Sequence, residues 1–203
     1  MSSFEYSQES DSEDIERVTL TDENGDTLDC YVENAIEGND GTYLLLMPVD
    51  VPVVILSWDK EDEDIEDNED TEDSEEISNV VLLEDKVEIK EVFPDAKAVL
   101  AELDLTLKLT AFTLTVVGEL PPIEDDGILS LELEADEPSL DSEELQFLKD
   151  FYHQEQKYSI YTPLSPLLFL AKYNLLGKVE LVSPEDKEMQ LILEELLFDD
   201  LDE

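Results

Sequence analysis

The chain holds one histidine, one cysteine and one tryptophan, set against 57 acidic side chains. His153 is the only imidazole available for acid–base work. It has no second His or Cys partner that would complete a Cys/His zinc site. No Gly-x-Ser-x-Gly elbow is present, so a Ser-His-Asp arrangement lacks its nucleophile turn. Six glycines leave no glycine-rich phosphate loop, which argues against ATP and dinucleotide sites of known motif. Calcium loops need acidic or amide side chains at positions one, three and five before their glycine. Setting Gly25, Gly41 or Gly127 as that glycine puts Leu20, Ile36 or Pro122 first, and all three fail. Cys30 lies in the alternating run Leu28-Asp29-Cys30-Tyr31-Val32 and reads as a buried thiol. A carboxylate pair for glycoside hydrolysis is compatible with the sequence, but with 57 acids the pattern selects no pair. The reading therefore assigns no catalytic residue, no cofactor and no metal.

Charge says more. Eleven basic residues against 57 acids leave a net charge of −46. A nucleic-acid partner needs a basic surface, and an anionic membrane repels an acidic one. Residues 59–76 concentrate the effect, with 13 acids and one lysine. Such a run is either a solvated segment that keeps the chain dispersed or a steering surface for a basic protein. Asp62, Asp64, Asp67 and Asp70 represent it as candidate partner-binding residues. The second unusual segment is 158–170, YSIYTPLSPLLFL. It reads as a loop covering the core or as a partner-binding edge, with Tyr158, Tyr161, Thr162, Pro163 and Pro166 as candidates. No apolar run approaches the roughly 20 residues needed to span a bilayer, and the first residues lack the basic and apolar regions of a signal peptide. One cysteine forbids an intramolecular disulfide and fits a reducing compartment.

These residues need elements to position them. At 41% hydrophobic, most of the chain has enough apolar material to fold. Residues 1–16 read as a disordered acidic tail, 17–103 as a β-rich module with an acidic loop at 59–79, and 104–203 as a second α+β domain. Asn24-Gly25 between alternating runs signals a hairpin. Strands are expected at 42–47 and 51–58, with Pro52 suited to an edge. A helix is expected from Pro94 to Leu103. Alternating Leu, Val and Thr from Leu105 to Val117 predict one long strand, paired with 128–133. Asp141 and Glu144 resemble a capping box opening a helix with Leu145, Leu148 and Tyr152 on one face. Residues 167–173 fit strand or helix equally. A last helix follows Ser183-Pro184, with Met189, Ile192, Leu193, Leu196 and Leu197 on one stripe. The expected class is α+β: an antiparallel β-hairpin module, then a second small β unit with two or three helices.

The runs Val18-Thr19-Leu20-Thr21-Asp22-Glu23-Asn24-Gly25, Tyr43-Leu44-Leu45-Leu46-Met47-Pro48 and Val53-Val54-Ile55-Leu56 resemble a family of small acidic bacterial proteins of unknown function. Ala96 to Leu107, Tyr161 to Phe169 and Leu181 to Glu185 resemble an uncharacterised domain that accompanies that module in cyanobacteria and plant plastids. The resemblance implies a cyanobacterial cytoplasm, or a stroma for plastid relatives, and a link to the photosynthetic machinery. It supplies no catalytic residue. The expected function is a non-enzymatic binding, assembly or regulatory protein acting on a basic protein partner through an acidic surface and an apolar edge. A carboxylate-based hydrolase and a nucleic-acid-mimicking inhibitor of a basic protein are the alternatives.

Overall fold

The computed structural model describes residues 16–38, 41–58, 80–124, 127–132, 142–174, 176–183, 190–193 and 196. The expected tail at 1–16, except Glu16, and the acidic loop at 59–79 lie outside them. So do Asp62, Asp64, Asp67 and Asp70, along with Asp141, Pro184, Met189 and Leu197.

Of the described residues, 55% are strand and 16% helical, which corrects the α+β expectation to a β-rich fold. The strands are β1 (Arg17–Thr21), β2 (Thr27–Gly38), β3 (Gly41–Pro48), β4 (Val51–Trp58) and β5 (Val80–Leu82). Helix α1 (Lys86–Ala101) follows. Then come β6 (Thr106–Leu109), β7 (Leu114–Val117), β8 (Ile128–Glu132), β9 (Ser142–His153), β10 (Gln156–Pro163), β11 (Phe169–Tyr173) and β12 (Val179–Leu181). A short helical stretch covers 190–193 and 196.

Three elements differ locally from what the sequence predicts. The helix expected from 141 is strand β9. Its Leu148 and Phe151 both pack toward α1, three residues apart, because the register against β10 shifts between Ile160 and Tyr161, whereas Leu145 packs with Leu56 and Tyr161 on the other face. Phe147 pairs with Tyr161 and Lys149 with Ile160, so Leu148 is the extra residue of a bulge. A bulge in a strand thus imitates helical spacing. The single strand expected over 105–117 is a hairpin, β6 and β7. Its apolar phase moves from odd positions (Leu107, Leu109) to even ones (Leu114, Val116), and the turn sits at the slip. Helix α1 starts at Lys86, earlier than Pro94, because the Asp85 carboxylate accepts from Val87 N at 2.8 Å and Glu88 N at 3.1 Å. Pro94 lies inside the helix.

The strands form two antiparallel sheets. Sheet one runs β1-β2-β3-β11-β12 and sheet two β6-β7-β4-β10-β9-β8. Strand β5 shares an edge of β4 with β7: residues 51–53 pair with β7 and 56–58 with β5. Only Val49 and Asp50 separate β3 from β4, yet these strands belong to different sheets. The chain returns to sheet one between β10 and β11. Both sheets therefore take strands from both halves of the sequence.

Sheet one curls until the Cα atoms of its edges, β1 and β12, come within 8 Å. Leu20, Leu28, Cys30, Leu44, Leu46 and Ala171 fill its concave side, and Ala111 from the β6–β7 turn plugs it. Ala111 N donates to Thr27 O at 3.2 Å, which fixes the plug. On the opposite side Leu196 joins Tyr43, Leu45 and Leu170. Sheet two buries one face against α1. Val92, Ala96 and Leu100 of the helix meet Val53, Ile55, Leu107, Val116, Leu148, Phe151 and Ile160. Each fully buried Leu or Ile contributes about 1.5–3 kcal/mol relative to exposure.

Candidate functional site: an apolar notch with an acidic rim

The candidates in segment 158–170 fall into two groups. Tyr158, Tyr161 and Thr162 belong to the packing of sheet two. Tyr158 stacks on Phe151 with ring centroids 5.2 Å apart, and Tyr161 meets Phe147 edge-on at 5.6 Å. Burial raises the pKa of both phenols. The Thr162 hydroxyl is buried and donates to Pro52 O at 2.9 Å. Pro163 and Pro166 line a groove of about 360 Å³ where the two crossovers between sheets meet, opposite Tyr31, Met47 and Pro48. Pro166 is exposed there.

His153 is paired with Asp95 across the α1–β9 seam, Nδ1 to Oδ2, at 2.7 Å. Its Nε2 faces the Gln154 amide at 3.1 Å. Lys149 and Glu102 pair along the same seam at 3.3 Å. Both contacts fasten the helix to the sheet. Cys30 is fully buried, and that burial, reinforced by Asp29, raises its thiol to about 11. It is a packing residue rather than a nucleophile at neutral pH. No group of three or more His, Cys, Asp or Glu among the described residues is arranged to hold a metal ion. No helix among them is long and apolar enough to cross a membrane.

The open apolar surface gathers elsewhere. Strands β5 and β7 leave residues 54 and 55 of β4 between them. A notch of about 310 Å³ opens there, lined by Val54, Ile55, Leu82, Leu83, Leu109 and Phe112. Phe112 is 44% exposed although it touches the Phe169 ring at 6.2 Å. Its φ of 66° lies in the left-handed region, where a bulky side chain is strained. Three hydrogen bonds hold the turn in that shape. Thr110 Oγ1 donates to Thr113 O at 2.6 Å, Thr113 N to Ala111 O at 2.8 Å, and Ala111 N reaches β2. Leu82 is 41% exposed, and Val81 and Val87 stand open on the segments leading into and out of the notch wall.

The rim is acidic. Glu84 lines the notch, and the exposed Asp85 and Glu88 follow within one turn of it. The single cation in its lining, Lys86, is engaged by Asp22 from the β1–β2 turn. The Asp22 side chain is only 5% exposed. Its Oδ1 accepts from Asn24 N at 2.9 Å and Asp26 N at 3.0 Å, and its Oδ2 takes the Lys86 ammonium. The ammonium and the turn donors hold the carboxyl down to about 2.

The site is hard to read from the sequence because its walls come from three separated segments, 53–55, 82–89 and 109–114. Two signals were nevertheless present: the short apolar run ending at Leu83 directly after the acidic stretch, and the phase slip at Phe112.

Fold and notch together define a β-rich protein of two strand-exchanging sheets with an open apolar site on sheet two. Two family models match it in tandem, each described as a protein of unknown function: DUF1292 over residues 23–101 and DUF3727 over residues 104–200. No curated protein and no solved structure matches the chain.

Proposed function

We propose that the protein is a non-enzymatic binding or assembly protein that captures a basic protein partner. Its acidic surface draws the partner in, and the notch takes an apolar side chain from it. The observation that carries this reading is the notch itself: a strained, open Phe112 and Leu82 with Glu84 in the lining and Asp85 and Glu88 following it, on a chain of net charge −46. Exposed apolar patches with polar rims are interaction sites, and charge of one sign selects and accelerates a partner of the other. The residues at 161–169 that resemble a cyanobacterial and plastid domain extend the proposal to a cyanobacterial-type cytoplasm or a stroma, with a partner among the basic proteins of photosynthetic assembly.

The test is capture of native-cell proteins on the immobilised full chain, followed by mass spectrometry and titration of the captured partner. Affinity should fall about tenfold between low and high ionic strength. It should fall again on deletion of 59–76. The variant Phe112→Gly removes the ring and relieves the backbone strain together, and should weaken binding by about tenfold. Binding that ignores salt, the deletion and Phe112→Gly alike sinks the proposal.

A further inference from the structure

Lys86 is the one positive charge in the lining of a mostly apolar notch that also carries Glu84. It lies over Asp22 and covers a carboxylate that the β1–β2 turn has already shaped. Oδ1 is committed to the backbone amides of Asn24 and Asp26, so that oxygen stays in place whatever happens to Lys86. Oδ2 accepts from the ammonium of Lys86, which itself lines the notch, and only distantly, at 3.5 Å, from the Asn24 side-chain amide. The Lys86 side chain is itself 46% exposed, so the ammonium can leave Asp22 from the solvent side. A fixed acceptor beneath a displaceable cation, next to an open apolar cavity, has the form of a binding site occupied by a group of its own chain.

Resting on the reading above, we propose that Lys86 stands in for a cation of the partner. The ligand of the notch is then a segment carrying an apolar side chain beside a Lys or Arg. The apolar side chain enters the cavity lined by Leu82 and Phe112, and the cation replaces Lys86 on Asp22. Charge complementarity favours this occupant: Glu84, Asp85 and Glu88 at the rim disfavour an acidic segment and receive further basic residues. An arginine matches the carboxylate better than the resident lysine, because its planar fork donates two parallel hydrogen bonds. The contact between Lys86 and Asp22 is thus autoinhibitory, since it competes with the partner for one oxygen.

The experiment measures fluorescence anisotropy of a labelled synthetic peptide in which one phenylalanine is flanked by arginines. Full-length wild type is compared with Lys86→Met and Lys90→Met, each also combined with Asp22→Asn. Both lysine variants remove one charge from the same exposed helical turn, so general attraction changes equally. Lys86→Met should bind about tenfold more tightly than Lys90→Met, the scale of one charge-assisted hydrogen bond released for the ligand. Asp22→Asn should abolish that excess. Binding of the peptide with equal affinity by Lys86→Met and Lys90→Met overturns the inference and leaves the proposed function standing. No binding to wild type or to either lysine variant, even at low salt, overturns both. The comparison of the two lysine variants stands without Asp22→Asn, should that substitution loosen the turn.

Discussion

The two sheets solve the same problem in different ways. Sheet one curls on itself and fills its hollow with aliphatic side chains, Cys30 and the Ala111 plug. Sheet two stays open, and a helix covers one of its faces. Along with that open form goes a polar network. Trp58 Nε1 donates to the buried Ser159 Oγ at 2.7 Å, Ser159 donates to Asp150, and Lys157 pairs with Asp150 at 3.1 Å while lying over the Trp58 ring. Sheet two also holds a buried hydroxyl, Thr115 Oγ1, with no hydrogen-bond partner among the described residues. The closed sheet depends on shape, whereas the open one depends on shape and on polar satisfaction. The notch opens where these two constructions meet, since Phe112 touches Phe169 of sheet one while its turn belongs to sheet two.

The largest expected effect comes from the cores. Leu46→Ala in sheet one and Leu100→Ala under sheet two should each cost about 3 kcal/mol. Trp58 fluorescence reports only on sheet two. If the strand exchange couples the sheets, Leu46→Ala shifts the Trp58 denaturation midpoint as far as it shifts the far-UV dichroism. Separate midpoints would break the picture of two sheets joined into one cooperative unit.

Ser159→Ala comes next. It leaves the Trp58 N–H without its acceptor and should destabilise by about 1–3 kcal/mol, measured by urea denaturation. A smaller effect of opposite sign is expected at Thr115. Thr115→Val keeps the shape and removes the orphaned hydroxyl, so stability should rise by about 1 kcal/mol in the same assay. A loss there would show that the hydroxyl is satisfied and sheet two less burdened than described.

The smallest effect is the acid limb. The Asp22 carboxyl, ordinarily at 3.8, is lowered to about 2 in the folded chain. A lowered folded value means that its stabilisation is complete above the unfolded pKa and is lost as pH falls toward 2. The stability difference between wild type and Asp22→Asn should therefore be flat above about pH 5 and shrink between pH 4 and 2. A difference that grows on acidification would contradict the assignment.

Much of sheet one was legible because its signals are local. Asn24-Gly25 makes its turn, with Gly25 at φ 86° and its N–H on Asp22 O at 3.1 Å. Strands β3 and β4 span the residues that alternation placed them on, but β4 is interior to sheet two, between β7 and β10, and not the edge that Pro52 suggested. Their assignment to different sheets was not legible, because the two-residue corner at Val49-Asp50 looks like a hairpin. Sheet two was harder to read. The bulge at Leu148 gave β9 a helical period, and the β6–β7 turn hid inside a run of Leu and Thr. Asp85 carries a capping signal that Pro94 outweighed. The candidate site was the least visible part. Tyr161 and Thr162, chosen for their type, are buried by neighbours distant in sequence, and Leu82 and Phe112 meet only through the fold.

The crossing of the chain between sheets sets the order in which the protein can be made. Leu45 of β3 pairs with Leu170 of β11, and Ile55 of β4 with Ile160 of β10. At about 5–20 residues per second, a ribosome finishes β3 and β4 several seconds before either partner strand emerges. Throughout that interval β3 and β4 present unpaired edges and apolar faces to whatever surrounds them, and neither sheet can seal until the last quarter of the chain is out. Such long-range pairing also slows refolding in vitro. Chaperone dependence at birth, rather than fragility once folded, is the expected signature of this architecture.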